Sequence, residues 1–291
     1  MKLGGLYTAL ITPFDEEGDL DINGFRKNIR RQIDDGVDGI VPVGTTGESA
    51  TLSSEEHKIV VETAVEEANG KIKVIAGTGS NNTSEALEYT QHAMDAGADA
   101  ALVITPYYNK PTQRGLIKHY TKIASHVDIP LVVYTVPGRT GVNIQPETTI
   151  ELSRIENIVA IKDASGNLDQ VMRVLRETDD FTVLSGEDYL TYCILSLGGD
   201  GVISVASNIA PGLMSELIHS ALDGDWEKAR ELHYRLYPLF KVLFVETNPA
   251  PAKAALDLMG LPAGEPRLPL VEVTKESRDE IKTVLKGLDL I

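Results

Sequence analysis

Three stretches of this 291-residue chain echo one another: DDGVDGIVPVG (34–44), DAGADAALVIT (95–105) and LGGDGVISV (197–205). Each sets a glycine where a helix needs a left-handed residue to stop, then an aspartate, then a short apolar run suited to a strand buried on both faces. That is the helix-to-strand half of a βα unit, used repeatedly. The preceding helices read as clearly. Ile22, Phe25, Ile29 and Ile33 share one face ending at Gly36, and SSEEHKIVVETAVEEANG opens with Ser53 and Glu56 in capping-box spacing and closes at Gly70. Apolar runs near 6–12, 39–43, 72–77, 100–105, 130–134, 158–162, 181–185 and 201–205 predict eight strands. That count suits a closed (β/α)8 TIM barrel, an α/β fold, with an open doubly wound sheet as the alternative.

From residue 223 the pattern is wholly helical, with Trp226, Ala229, Leu232, Leu236, Leu239 and Leu243 at helical spacing and further helices around APAKAALDLMG and TKESRDEIKTVLKGL. The expected organisation is a catalytic barrel over residues 1–222 and a C-terminal helical appendage over 223–291, packed on the barrel because no flexible linker joins them. The balance of 27 basic against 43 acidic residues gives a net charge of −16, and without a run of Lys and Arg it argues against nucleic acid and anionic lipid as partners. Cys193 is the only cysteine, so a reducing compartment is the default, and MKLGGLYTALITPFDEEG is neither signal peptide nor membrane span. A cytoplasmic protein is expected.

In such a barrel the loops after the strands build the active site. Chemically unusual residues gather there: GTTGES (44–49) after strand 2, GTGSN (77–81) after strand 3, TPYYNKP (105–111) after strand 4, YTVPGRTG (134–141) after strand 5 and Lys162 after strand 6. Neither glycine-rich loop has the ending of a P-loop or the spacing of a dinucleotide fingerprint, yet GTTGES suits a nest of backbone N–H groups for a small carboxylate, or equally a capped βα turn. Histidines 57, 92, 119, 126, 219 and 233 show no HxH or HExxH spacing, so no metal site is expected. Arg139 is either a solvated loop charge or a fork for a carboxylate. Tyr107 and Tyr108 suit rim or interface packing.

Lys162 ends an apolar run, IVAIKD, at the barrel mouth, whereas Lys73 begins its strand and Lys253 belongs to a late helix. Partial desolvation there lowers its pKa. At an unperturbed value near 10.4 roughly 0.04% of a lysine is neutral at pH 7, whereas at about 7.5 roughly a quarter is, for about 4 kcal/mol. The neutral amine attacks carbonyls, so the placement suits a Schiff base.

The combination of GTTGE, YxVPxRTG and the lysine of IKDASGN, with FVETNPAPAK and RLPL in the tail, resembles the 4-hydroxy-tetrahydrodipicolinate synthase (dihydrodipicolinate synthase) family, in the superfamily of N-acetylneuraminate lyase. The resemblance runs nearly the whole chain. It implies a lyase of lysine and diaminopimelate biosynthesis in which pyruvate forms an imine on Lys162, becomes an enamine and attacks L-aspartate-4-semialdehyde, with no metal or organic cofactor. It further implies a proton relay of Thr46, Tyr134 and Tyr108, the last from a neighbouring subunit, and Arg139 on the semialdehyde carboxylate. Thr45 and Thr46 would hold pyruvate's carboxylate, with Gly186 and Ile203 lining its pocket. Ser49, Ala50, His57, Asn81, Glu85 and Tyr107 match positions that bind lysine as a feedback effector, and the assembly implied is a homotetramer built as a dimer of dimers. Thr135, Gly138 and Ser54 depart from residues frequent in the family; the first two bear on loop geometry, the third on lysine sensitivity. A sister pyruvate aldolase acting on a sugar acid (N-acetylneuraminate or 2-keto-3-deoxygluconate) is the nearest rival, and a metabolite-binding barrel without catalysis is a rival of another class.

Overall fold

The computed structural model describes residues 3–291, and its strands close into one parallel barrel in chain order. The strands are β1 (Gly5–Ala9), β2 (Gly39–Val41), β3 (Lys73–Gly77), β4 (Ala100–Ile104), β5 (Leu131–Thr135), β6 (Ile158–Asp163), β7 (Thr182–Ser185) and β8 (Gly201–Ser204), with β8 pairing β1. Closure removes the open-sheet alternative. The first strand stops at Ala9, three residues short of the apolar run, because Leu10–Thr12 leave the ladder towards the loop at 44–48: Leu10 N donates to Val41 O and Thr12 Oγ1 to Gly47 O. Around the barrel run α1 (Ile22–Asp34), α2 (Ser54–Ala68), α3 (Thr83–Ala96), α4 (Gln113–Ala124), the short α5 (Pro137–Thr140) and α6 (Pro146–Leu152), α7 (Leu168–Glu177), α8 (Thr191–Ser196) and α9 (Pro211–Leu222). Beyond them lie α10 (Trp226–Val242), α11 (Ala250–Leu258) and α12 (Lys275–Gly287).

The repeated glycine and aspartate have separate tasks. Gly97 caps α3 at φ +89°, its N–H reaching the carbonyls of Ala93 and Met94. The aspartate then pins each new strand to its predecessor. Asp38, Asp99 and Asp200 donate their backbone N–H to Leu6 O, Val74 O and Val183 O, and their carboxylates accept the N–H of the same three residues at 2.7, 2.8 and 2.9 Å. The helix starts follow the same economy of local signals: Ser53 and Glu56 form the reciprocal capping box of α2.

Inside the barrel, side chains such as Tyr7, Val41, Ile75, Leu102, Val132, Ala160, Leu184 and Ile203 form a closed apolar layer, while Val133, Ile161 and Val183 face outward to the helices. The C-terminal helices share a core with the barrel: Leu236, Leu239 and Phe240 of α10 and Ile281 and Leu285 of α12 pack in one cluster with Leu6, Val202 and Leu217. Among the described residues no helix is long and apolar enough to cross a membrane, and no group of three or more His, Cys, Asp or Glu is placed to hold a metal ion.

Candidate active site

Two-residue alternation along β5 and β6 turns Tyr134 and Lys162 into the barrel mouth, and they stand opposite each other in the ladder. Lys162 is 6% exposed, and its Nζ lies 4.3 Å from the centroid of the Tyr134 ring. Among the described residues it makes no ion pair. Burial pulls its amine down to about 8, with Asp188 and Glu187 opposing that shift and Arg139 adding to it. The Tyr134 phenol is pushed up to about 12 by burial, against the pull of the Thr45 side chain and Arg139. The neutral phenol of Tyr134 therefore stands beside the amine of Lys162, of which an appreciable fraction is neutral at pH 7.

A cavity of about 60 Å³ surrounds the lysine, bounded by Thr45, Thr46, Tyr134, Arg139, Gly186 and Asn248. By the measure in which one water needs about 10–15 Å³, it has room for a few waters or a small molecule. Ile203, expected in this lining, does not border the cavity, although it packs in the same apolar cluster as Val41 and Leu102, which do; Val205, just after β8, borders the space. Gly186 leaves no room for a side chain: a Cβ there would stand 2.7 Å from Cβ of Ala164.

Thr46 Oγ1 accepts a 3.0 Å hydrogen bond from Asn248 Nδ2, and the backbone carbonyl of Asn248 accepts one from Arg139 Nη2 at 3.2 Å. Sequence reasoning did not single out Asn248, because it lies in the helical tail and not after a strand. Glu187 and Asp188 were also missed, although they follow β7 directly. Glu187 is pushed up to about 7 by burial and by the neighbouring Asp188, with Lys162 opposing. Asp188 is buried, and its Oδ2 accepts the N–H groups of Val205 and Ala206. The rule that strand ends carry the chemistry, extended one strand further, reaches both.

A second cavity of about 470 Å³ adjoins the first and shares Thr45, Tyr134, Arg139 and Asn248 with it. Ser49, Ala50, His57, Glu85 and Tyr107 line its far part. Asn81 does not, but its carbonyl holds Asn109 Nδ2 at 2.9 Å. His57 is buried and stacked on Tyr89 with centroids 4.2 Å apart; burial lowers it to about 4, so it is neutral, and its Nε2 bonds Gly77 O at 2.9 Å. Tyr108 lines neither cavity. It is 89% exposed and held at φ +70°, a conformation rare for a bulky residue.

Lys162 is not alone in being a buried lysine. Lys253 is 2% exposed at its side chain and also lowered to about 8 by burial, but its Nζ meets the buried Glu48 carboxylate at 2.6 Å and the Glu265 carbonyl at 3.2 Å. Lys253 is thus held in an ion pair, whereas Lys162 has no such partner among the described residues.

Residues 2–288 match the family described as the dihydrodipicolinate synthetase family. The chain belongs to that family. A relative from Methanocaldococcus jannaschii named 4-hydroxy-tetrahydrodipicolinate synthase is 54% identical, the match covering 99% of each chain. A solved dihydrodipicolinate synthase from Aquifex aeolicus is 49% identical with a TM-score of 0.97 over 99% of both chains. Another, from Cyanidioschyzon merolae and described with lysine bound, is 42% identical with a TM-score of 0.97 over 99% of both chains. Family membership over residues 2–288 agrees with the (β/α)8 barrel.

Proposed function

We propose that the protein is a 4-hydroxy-tetrahydrodipicolinate synthase, a lyase that condenses pyruvate with L-aspartate-4-semialdehyde in lysine and diaminopimelate biosynthesis. The observation that carries the reading is the unpaired, desolvated amine of Lys162 at the base of a small cavity in a chain of this family. Neutral Nζ attacks the keto carbon of pyruvate and one water leaves, giving the imine. Loss of a methyl proton gives the enamine, whose carbon bonds the aldehyde carbon of the second substrate while its oxygen takes a proton. The amino group of that substrate then displaces Lys162 from the imine, closing the ring and freeing the lysine, so a single water is lost overall. The imine is itself the electron sink, and no metal or organic cofactor enters the scheme.

The roles proposed are those the family resemblance implies, and the positions of these side chains around the two cavities support them. Tyr134, neutral and beside Nζ, passes protons without adding charge next to the imine. Thr45 and Thr46 offer hydroxyls to pyruvate's carboxylate. Arg139, at the junction of the two cavities, takes the carboxylate of the semialdehyde. Relatives of this identity bear the synthase name, which favours this reading over a sugar-acid aldolase. Borohydride reduction in the presence of pyruvate, followed by peptide mapping, tests it: the adduct is expected on Lys162, and attachment elsewhere overturns the mechanism. Condensation with the semialdehyde, assayed beside cleavage of N-acetylneuraminate and 2-keto-3-deoxygluconate, tests the second substrate.

The far part of the large cavity suits a free amino acid, with Glu85 available to an ammonium group and Ser49 and Tyr107 to polar ends. Lysine is the effector proposed, with weak or moderate inhibition; no inhibition at millimolar lysine removes it. The exposed Tyr108 supports an assembly, a homotetramer built as a dimer of dimers, in which this tyrosine completes a neighbour's site. The setting proposed is the cytoplasm.

A further inference from the structure

Behind Lys162, on the outer side of the barrel wall, a chain of polar side chains runs between β5 and β6. Asp163 Oδ2 accepts Gln170 Nε2 at 2.9 Å; Gln170 Oε1 accepts Asn143 Nδ2 at 2.7 Å; Asn143 Oδ1 accepts Thr135 Oγ1 at 3.0 Å. Thr135 Oγ1 in turn accepts the backbone N–H of Ile144 at 3.2 Å. Asp163 and Gln170 are each 3% exposed, and the other carboxylate oxygen of Asp163 is occupied by Ser165, through its N–H at 2.8 Å and its hydroxyl at 2.6 Å.

One group sets the direction of every bond. An ionised carboxylate only accepts, so Gln170 must turn its amide N–H₂ to Asp163 and its oxygen to Asn143. Asn143 must then give its own N–H₂ to Gln170 and its oxygen to Thr135, and the Thr135 hydroxyl has a single orientation left. Buried chains of this kind have few partly satisfied alternatives, because each unpaired polar atom is costly.

The three places tied together are the immediate neighbours of the proposed chemistry. Thr135 follows Tyr134, Asp163 follows Lys162, and Asn143 lies four residues beyond Arg139 in the same connection. Tyr134 faces Lys162 and Thr135 faces Asp163 in the strand ladder, and Ala164 N donates to Thr135 O at 3.0 Å. We infer that Gln170, on α7 and outside both cavities, is a positioning residue whose amide fixes the spacing of Tyr134, Lys162 and the Arg139 loop. Thr135, a departure from the family's frequent asparagine, is the far end of this chain. The inference rests on Lys162 being the imine-forming amine.

The test is a polarity swap. Gln170→Glu sets a carboxylate against Asp163 and breaks the chain. Adding Asp163→Asn to Gln170→Glu rebuilds it, because the new amide at position 163 donates to the new carboxylate at position 170, which also accepts from Asn143. With folding checked by circular dichroism, Gln170→Glu is expected to lower kcat about 10- to 100-fold and to raise KM for the second substrate. The double variant is expected to return kcat to within about threefold of the parent, since its hydrogen bonds are again complete. Folded Gln170→Glu with unchanged kcat and KM, or a double variant as impaired as the single one, overturns the inference. Should Gln170→Glu not fold, Thr135→Val reads the same chain from its other end, and parental kinetics in that variant are equally fatal. A parent protein that gives no borohydride adduct at Lys162 refutes instead the reading on which the inference rests.

Discussion

At the scale of one residue, Lys162 is held in a state the unfolded chain would not choose. An amine near 8 in place of 10.5 costs the fold about 3 kcal/mol at neutral pH. Between those two values the unfolded chain binds the proton that the folded one releases, so stability attributable to this residue rises with pH across that window and the penalty is complete below 8. Lys162→Met is accordingly expected to abolish activity yet raise stability by up to about 3 kcal/mol at pH 7, with a smaller gain at pH 9.5 in parallel urea melts. On the proposed reaction of the neutral amine, kcat/KM for pyruvate is expected to climb about tenfold per pH unit on the acid side and to level off near 8, the value that fixes the break. Tyr134→Phe, which keeps the ring over Nζ but removes the hydroxyl, is expected to cost about 10²- to 10⁴-fold in kcat with pyruvate adduct formation still detectable by mass spectrometry. Lys162 was legible in the sequence because an apolar run delivers it to a strand end. The burial of Lys253 was not, since helical periodicity carries no sign of the acid waiting on another loop.

Elements are joined here by single side chains. The aspartates after the helix-ending glycines were visible as a repeat, but their task, accepting an N–H from the preceding strand, depends on barrel register that no local pattern encodes. Asp99→Ala strands the Val74 N–H and is expected to cost about 1 to 3 kcal/mol in denaturant melts, with kinetic constants unchanged. The GTTGES loop is pinned from the far end of the chain: Glu48 holds Lys253, its second oxygen accepts Arg267 N at 2.9 Å, and Arg267 grips Glu56 with two hydrogen bonds. Lys253→Met leaves a wholly buried carboxylate unpaired and is expected to cost about 3 to 5 kcal/mol, most of it recovered when Glu48→Gln is added. A double variant no more stable than the single one in the same melts would show that the pair's charge is not what matters.

For the molecule as a whole, the barrel was readable because strand, loop and helix alternate with their own punctuation, and the rim because odd residues cluster after strands. Contacts between distant segments were not readable: Asn248 reaches Thr46 across 202 positions, and neither end announces the other. Tyr108 is exposed on the single chain, and the role proposed for it lies in an assembly. If it completes a neighbour's site, mixing inactive Lys162→Ala with weakly active Tyr108→Ala under conditions that exchange subunits is expected to restore activity, because hybrid pairs contain one intact centre; failure of mixed subunits to exceed the sum of the separate ones sinks that role. The long reach from Asn248 and Arg267 back to residues 46–56 also has a bearing on biosynthesis of the polypeptide. Until Asn248 and Arg267 have been synthesised, residues 46–56 lack these partners, so the threonine loop is among the last parts of the rim to be anchored.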